Sequence, residues 1–169
     1  MEYISTIREI SRAFNKYSVE YIFVGGVAVG FHGYVRPSMA ANKQYVDKPD
    51  IDVWYNPSPA NFFKILDAVE ELGGNADGKI TRLRNATTID PTKAFIPFKF
   101  EDYTLDLLPS IKLPSRFWPC FKRCQTLVSE DVEIKYLSLE DLIADKETEP
   151  RDKDKVDIEQ LKQILAKRS

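Results

Sequence analysis

Apolar residues recur at three- and four-residue steps at the start of the chain, where Tyr3, Ile4, Ile7, Ile10 and Phe14 form one stripe. That spacing predicts an amphipathic helix closing near Tyr17. The unbroken run Tyr21-Ile22-Phe23-Val24, closed by Gly25-Gly26, predicts a buried strand instead. Residues 27–31 are small and apolar and run into His32-Gly33, the pattern of a short helix with a glycine stop. Residues 35–49 hold two prolines and no clear period, so they read as a long loop of the kind that is often functional or mobile.

A second strand follows at residues 51–55 and is stopped by Asn56-Pro57-Ser58-Pro59. Phe62, Ile65, Leu66, Val69 and Leu72 then share one helical face, ended by Gly73-Gly74. Residues 75–91 are too polar and irregular to assign. Residues 94–100 and 103–108 read as two strands of a hairpin across Glu101-Asp102, which lacks the favoured glycine. Val128 and residues 132–136 suggest another short pair. The tail is helical over about residues 138–167, with Leu139, Leu142 and Ile143 on one helix and Val156, Leu161, Ile164 and Leu165 on the next. The charged stretch 146–155 separates them. The expected fold is a single α/β (α+β) domain spanning residues 1–169, a mixed sheet covered on one side by helices with C-terminal helices appended.

Composition narrows the chemistry. The chain has 169 residues, 43% hydrophobic and 30% charged, as in ordinary water-soluble domains. Its formal net charge of −2 excludes a global basic field for nucleic acid while leaving room for a local basic groove. No apolar run is long enough to span a membrane and the N-terminus does not resemble a signal peptide, so a cytoplasmic location is expected. Cys120 and Cys124 alone make neither a disulfide framework nor a complete zinc site and read as plain thiols. With His32 as the single histidine, two-histidine metal motifs are excluded and a general base is expected to be a carboxylate.

Asp50 and Asp52 stand two residues apart on a strand, so they share a face while Ile51 and Val53 turn to the core. Adjacent carboxylates repel unless a cation or proton lies between them. Magnesium suits such a place, since it takes a few carboxylates and completes its octahedron with water and phosphate. Asp106 interrupts the otherwise apolar strand Thr104-Leu105-Asp106-Leu107-Leu108 and completes a triad if that strand lies beside residues 51–55. Solvated strand charges are the competing reading for each acid. Gly25-Gly26, between strand and helix, suits either a phosphate cradle or a plain tight turn. It matches neither the dinucleotide fingerprint nor a P-loop.

Together, Phe23-Val24-Gly25-Gly26-Val27-Ala28, His32-Gly33-Tyr34-Val35-Arg36, Asp50-Ile51-Asp52-Val53 and Leu105-Asp106-Leu107-Leu108 resemble the DNA polymerase beta-type nucleotidyltransferase superfamily. The likeness is closer to small bacterial nucleotidyltransferases related to the AbiEii-type toxins. The segment Leu139-Glu140-Asp141-Leu142-Ile143-Ala144-Asp145-Lys146, with Arg151-Asp152-Lys153-Asp154 and Asp157-Ile158, is similar to that group's C-terminal motif.

The resemblance implies a nucleotidyltransferase fold and a two-metal magnesium site. Asp50 and Asp52 would hold the metal that carries the nucleoside triphosphate, and Asp106 would bind a second metal and help deprotonate the attacking hydroxyl. Gly25, Gly26, Arg36, Lys146 and Arg151 are the implied nucleotide-binding residues, the cations serving as a triphosphate clamp. For Lys146 the competing reading is an exposed helix charge, and for His32 it is a core or capping residue. Asp154 and Asp157 read as partners of helix cations rather than metal ligands.

Two departures from the pattern stand out. Gly-Gly replaces the Gly-Ser of many superfamily members, and thirteen residues, 37–49, separate Arg36 from Asp50. That insertion suggests a lid or acceptor-binding loop.

The implied reaction moves a nucleoside monophosphate from a triphosphate to an acceptor: RNA, a protein side chain or a small alcohol, aminoglycosides among them. A toxin–antitoxin pair is its natural setting, with an antitoxin or a homodimer partner. The competing reading is an inactive nucleotide-binding or protein-interaction module. Phe117, Trp118 and Phe121 read as core or as a contact patch for a partner.

Overall fold

A computed structural model describes residues 3–34 and 48–168. Arg36 and residues 37–47 of the insertion lie outside the described residues. In chain order the elements are α1 (Tyr3–Lys16), β1 (Tyr21–Phe23), α2 (Gly25–Phe31), β2 (Asp50–Tyr55), α3 (Pro59–Glu71), α4 (Lys79–Asn85) and a 3-10 turn (Pro91–Lys93). They continue with β3 (Ile96–Lys99), β4 (Thr104–Leu108), α5 (Phe117–Arg123), β5 (Gln125–Ser129), β6 (Val132–Tyr136), α6 (Leu139–Glu147) and α7 (Asp152–Arg168).

The strands form one six-stranded mixed sheet in the order β3-β4-β2-β1-β6-β5. β2 runs parallel to β4 and antiparallel to β1, and β1 runs parallel to β6. Hairpins β3–β4 and β5–β6 close the two sides. This is an α/β protein with its last two helices at the C-terminus.

Helices cover both faces of the sheet, which corrects the one-sided expectation. Ile51, Val53 and Tyr55 of β2 join the core with Phe14 of α1, Ile65 of α3 and Ile80 of α4. Trp54 points the other way, into a second core with Val29 of α2, Phe117 of α5, Leu142 of α6 and Leu161 of α7. The signal lay in β1, where Tyr21, Ile22 and Phe23 are all fully buried. A strand that is apolar at successive positions, rather than alternating, has no face to give to water.

The local stops act as their chemistry dictates. Ser58 caps α3 by accepting from the Asn61 amide, Pro59 opens the helix, and Gly73 leaves it at φ +94°. In the β3–β4 hairpin Phe100 donates its amide to the Tyr103 carbonyl at 2.9 Å, and the two rings stack at 4.6 Å in place of the missing glycine. Glu130 and Asp131 turn β5 into β6 at φ +47° and +65°, the primed geometry that matches strand twist.

Two helices were not foreseen. α4 buries only Ile80, so it shows no stripe. α5 contains Pro119, but in its first turn, where the missing N–H has no carbonyl to meet. Phe117 of α5 is buried edge-on against Trp54 at 5.4 Å, whereas Trp118 is 44% exposed. The three aromatics are therefore split between core and surface. The charged stretch 146–155 is not a spacer: only residues 148–151 break the helices, with Glu149 at φ +47°. No described helix is long and apolar enough to cross a membrane.

Candidate functional site

The register of the two parallel strands builds the site. Asp52 lies directly beside Asp106, and Asp50 beside Thr104. Residues paired across a sheet share a face, so Asp50, Asp52 and Asp106 stand together. Ile51, Val53, Leu105 and Leu107 fill the opposite face at 1% exposure or less. Asp50 is exposed, and Asp52 and Asp106 are half-buried.

The acids sense one another. Asp106 holds its proton more tightly than an ordinary carboxyl because burial disfavours its charged form and the Asp50 charge adds to this, while a hydrogen bond with Asp52 pulls the other way. Asp157 and Asp154 are apart from this group, on α7, and bind cations.

Gly25 closes over the acids from the end of β1. The Val24 amide donates to the Asp52 carbonyl at 3.0 Å, and Gly25 follows at φ +59°. A Cβ at Gly25 would stand 2.6 Å from Asp52 Oδ2. Both the dihedral and the close approach require glycine. Gly25→Ala is expected to cost about 1–2 kcal/mol in urea unfolding, the sum of a left-handed backbone penalty and the displaced carboxylate. An unchanged midpoint would show that the backbone yields there at no cost.

The C-terminal helices bring basic residues to the same side. Asp154 is fully buried at the start of α7 and accepts from the Arg151 amide at 2.9 Å, from Arg151 Nε at 3.0 Å and from Lys112 Nζ at 3.2 Å. Lys146 of α6 is buried too, 3.6 Å from Asp154 and 3.1 Å from Asp157. Asp154 and Asp157 thus pair with a helix cation, as expected, and Lys146 is not an exposed helix charge.

Burial raises the cost of ionising Asp154, yet hydrogen bonds from the Arg151 side chain and backbone, one from Lys112 and the Lys146 charge hold its carboxyl far below the ordinary range. The Arg151 side chain stays 60% exposed. Its guanidinium holds its proton more tightly than usual chiefly through Asp154, and the Asp52 carboxylate contributes as well. Among the sequence-derived cations in the described residues, Arg151 is the one whose charge reaches the acid group and whose side chain is open to solvent.

His32 is a core residue at 3% exposure. Its Nε2–H donates to the Leu137 carbonyl at 2.7 Å, and its ring meets Tyr136 edge-on at 5.0 Å. Burial lowers its affinity for a second proton. Cys120 and Cys124 are free thiols that burial makes harder to ionise.

Sequence reasoning missed Lys112 and Asp145. Lys112 sits in the loop after β4 and reaches Asp154, while the Leu113 amide donates to Asp145 Oδ1 at 2.8 Å. Both contacts bridge more than thirty positions in the chain and carry no local pattern. They fasten the end of β4, which bears Asp106, to the C-terminal helices.

Among the described residues, no three or more His, Cys, Asp or Glu side chains converge closely enough to cage a metal. The paired Asp52 and Asp106, with Asp50 alongside, fit a hard cation that draws its remaining ligands from water and phosphate. They do not fit a zinc-type closed cage. No family model matches the chain, and no curated protein does either.

Proposed function

We propose that this protein is a metal-dependent nucleotidyltransferase of the DNA polymerase beta type, near the AbiEii-like branch, which transfers a nucleoside monophosphate from a triphosphate to a hydroxyl-bearing acceptor. The observation that carries this reading is the Asp52–Asp106 register on adjacent parallel strands, with Asp50 on the same face. Magnesium held by the Asp52–Asp106 pair, with Asp50 alongside, would neutralise phosphate charge and polarise the phosphoryl group.

The chain's own residues supply the rest. Gly25 lets the backbone approach without a side chain in the way, and Gly26 follows it in the first turn of α2. Arg151 provides an exposed cation, within reach of the Asp52 charge, for the triphosphate. In the transfer, the acceptor oxygen bonds to the α-phosphorus, the bond to the bridging oxygen breaks, pyrophosphate leaves, and the acceptor proton passes to the Asp106 carboxylate. Burial raises the proton affinity of Asp106, which suits it to take up that proton. RNA, a protein side chain or a small alcohol would serve as acceptor, in the setting of a toxin–antitoxin pair in the cytoplasm.

One observation favours the second reading, an inactive nucleotide-binding or interaction module: Lys146, the other implied triphosphate cation among the described residues, is engaged by Asp154 and Asp157. Calorimetric titration of magnesium nucleoside triphosphates into the wild type and an Asp50→Asn, Asp52→Asn double variant separates the readings. Magnesium-dependent binding to the wild type that is lost in the folded variant supports the site. Absence of binding to the wild type for every triphosphate overturns it and leaves the interaction module.

A further inference from the structure

The sheet has two edges, and among the described residues only one is protected. On β3, Pro97 removes a backbone donor, Lys99 adds a charge, and Lys79 donates to the Pro97 carbonyl. Proline and lysine at an edge are the usual devices against strand pairing. On β5 the sequence Gln125-Thr126-Leu127-Val128-Ser129 has no charge, no proline and no glycine. Residues 125–128 are all exposed, with Leu127 at 38% and Val128 at 61%. Among the described residues no strand pairs with the outer row of backbone donors and acceptors of this apolar-centred strand.

The flanks indicate what pairs with it. Lys122-Arg123 precede β5 and Glu130-Asp131 follow it. An antiparallel pairing of two β5 strands centred on Leu127 sets Thr126 opposite Val128 and Gln125 opposite Ser129. It also sets Arg123 opposite Asp131, so the basic end of each strand meets the acidic end of the other. Arg123 is held by Asp141 at 3.0 Å yet remains 55% exposed. A parallel pairing would place like charges together. The edge is therefore complementary to itself under a two-fold axis, the symmetry of an isologous dimer.

We propose that the β5 edge is a self-association surface through which a second copy of this chain extends the sheet antiparallel, centred on Leu127. In the sheet order β1 and β6 lie between β5 and the strands bearing Asp52 and Asp106, so pairing leaves the acid face open. This inference is independent of the proposed activity. A short edge buries less than a standard interface, so assembly is expected at roughly micromolar rather than nanomolar concentration.

Sedimentation of the full chain over a concentration series is expected to show the mass rising from 19.4 kDa toward twice that value. A Thr126→Lys, Val128→Lys variant and a Thr126→Glu, Val128→Glu variant are each expected to stay monomeric, because the register sets like charges against each other. Mixing the two is expected to restore the dimer. Amide exchange on the wild type gives a variant-free check, with β5 amides slowing as concentration rises. A wild type that remains monomeric throughout, a dimer that survives in both charged variants, or a mixture that fails to reassociate would each overturn the proposal.

Discussion

Asp106→Asn is expected to stabilise the metal-free protein while reducing nucleotidyl transfer about a thousandfold or more. The two effects have one origin. Three carboxylates share a sheet face, and Asp106 is driven toward its protonated form by burial and by Asp50. An amide keeps the shape and hydrogen-bonding capacity but removes the charge that the neighbours disfavour. A gain in stability is therefore expected at neutral pH in chelator-containing buffer.

The pH dependence follows in sign. Asp106 binds its proton more tightly folded than unfolded, so its contribution is present at acid pH and lost as pH rises through the raised folded value. Urea unfolding of the metal-free wild type should therefore carry a downward component across that window, absent in the variant. An Asp106→Asn protein that is clearly less stable than wild type would identify the acid as structural and remove the basis for the site.

The acids were legible because strand alternation is a strict rule: once residues 51–55 are a strand, Asp50 and Asp52 must share a face. The same holds for Asp106, whose flanking Leu105 and Leu107 are both buried. The strand neighbours were not legible, since parallel pairing of β2 with β4 joins segments some fifty residues apart. Hairpin β3–β4 was readable from two short apolar runs across Glu101-Asp102, and β5–β6 only in outline, from Val128 and residues 132–136. α4 and α5 were not, the first because it buries one side chain and the second because a first-turn proline looks like a break. The charged stretch 146–155 misled for another reason: Lys146, Asp154 and Asp157 satisfy one another, so charged positions became core positions. Polarity alone marks a surface only when the charges lack buried partners.

That buried cluster carries the largest expected effect on stability. Asp154→Ala is expected to destabilise the protein by about 3–5 kcal/mol, because it leaves Lys146 buried with Asp157 alone and strands the Arg151 amide. Asp154 binds its proton more weakly folded than unfolded, so its stabilisation is fully present above the unfolded carboxylate range and fades as pH falls through the depressed folded value. Urea midpoints measured from neutral to acid pH should therefore converge for wild type and variant at the acid end, and midpoints that stay parallel would refute the linkage. Arg151→Ala provides the contrast. Its side chain is mostly exposed, so stability should change by less than about 1 kcal/mol. Triphosphate affinity should nevertheless fall roughly tenfold, since a charged hydrogen bond to phosphate is lost. The same ion pair would then serve two ends: its buried carboxylate holds the C-terminal helices to the loop after β4, and its exposed guanidinium stays within reach of the Asp52 charge.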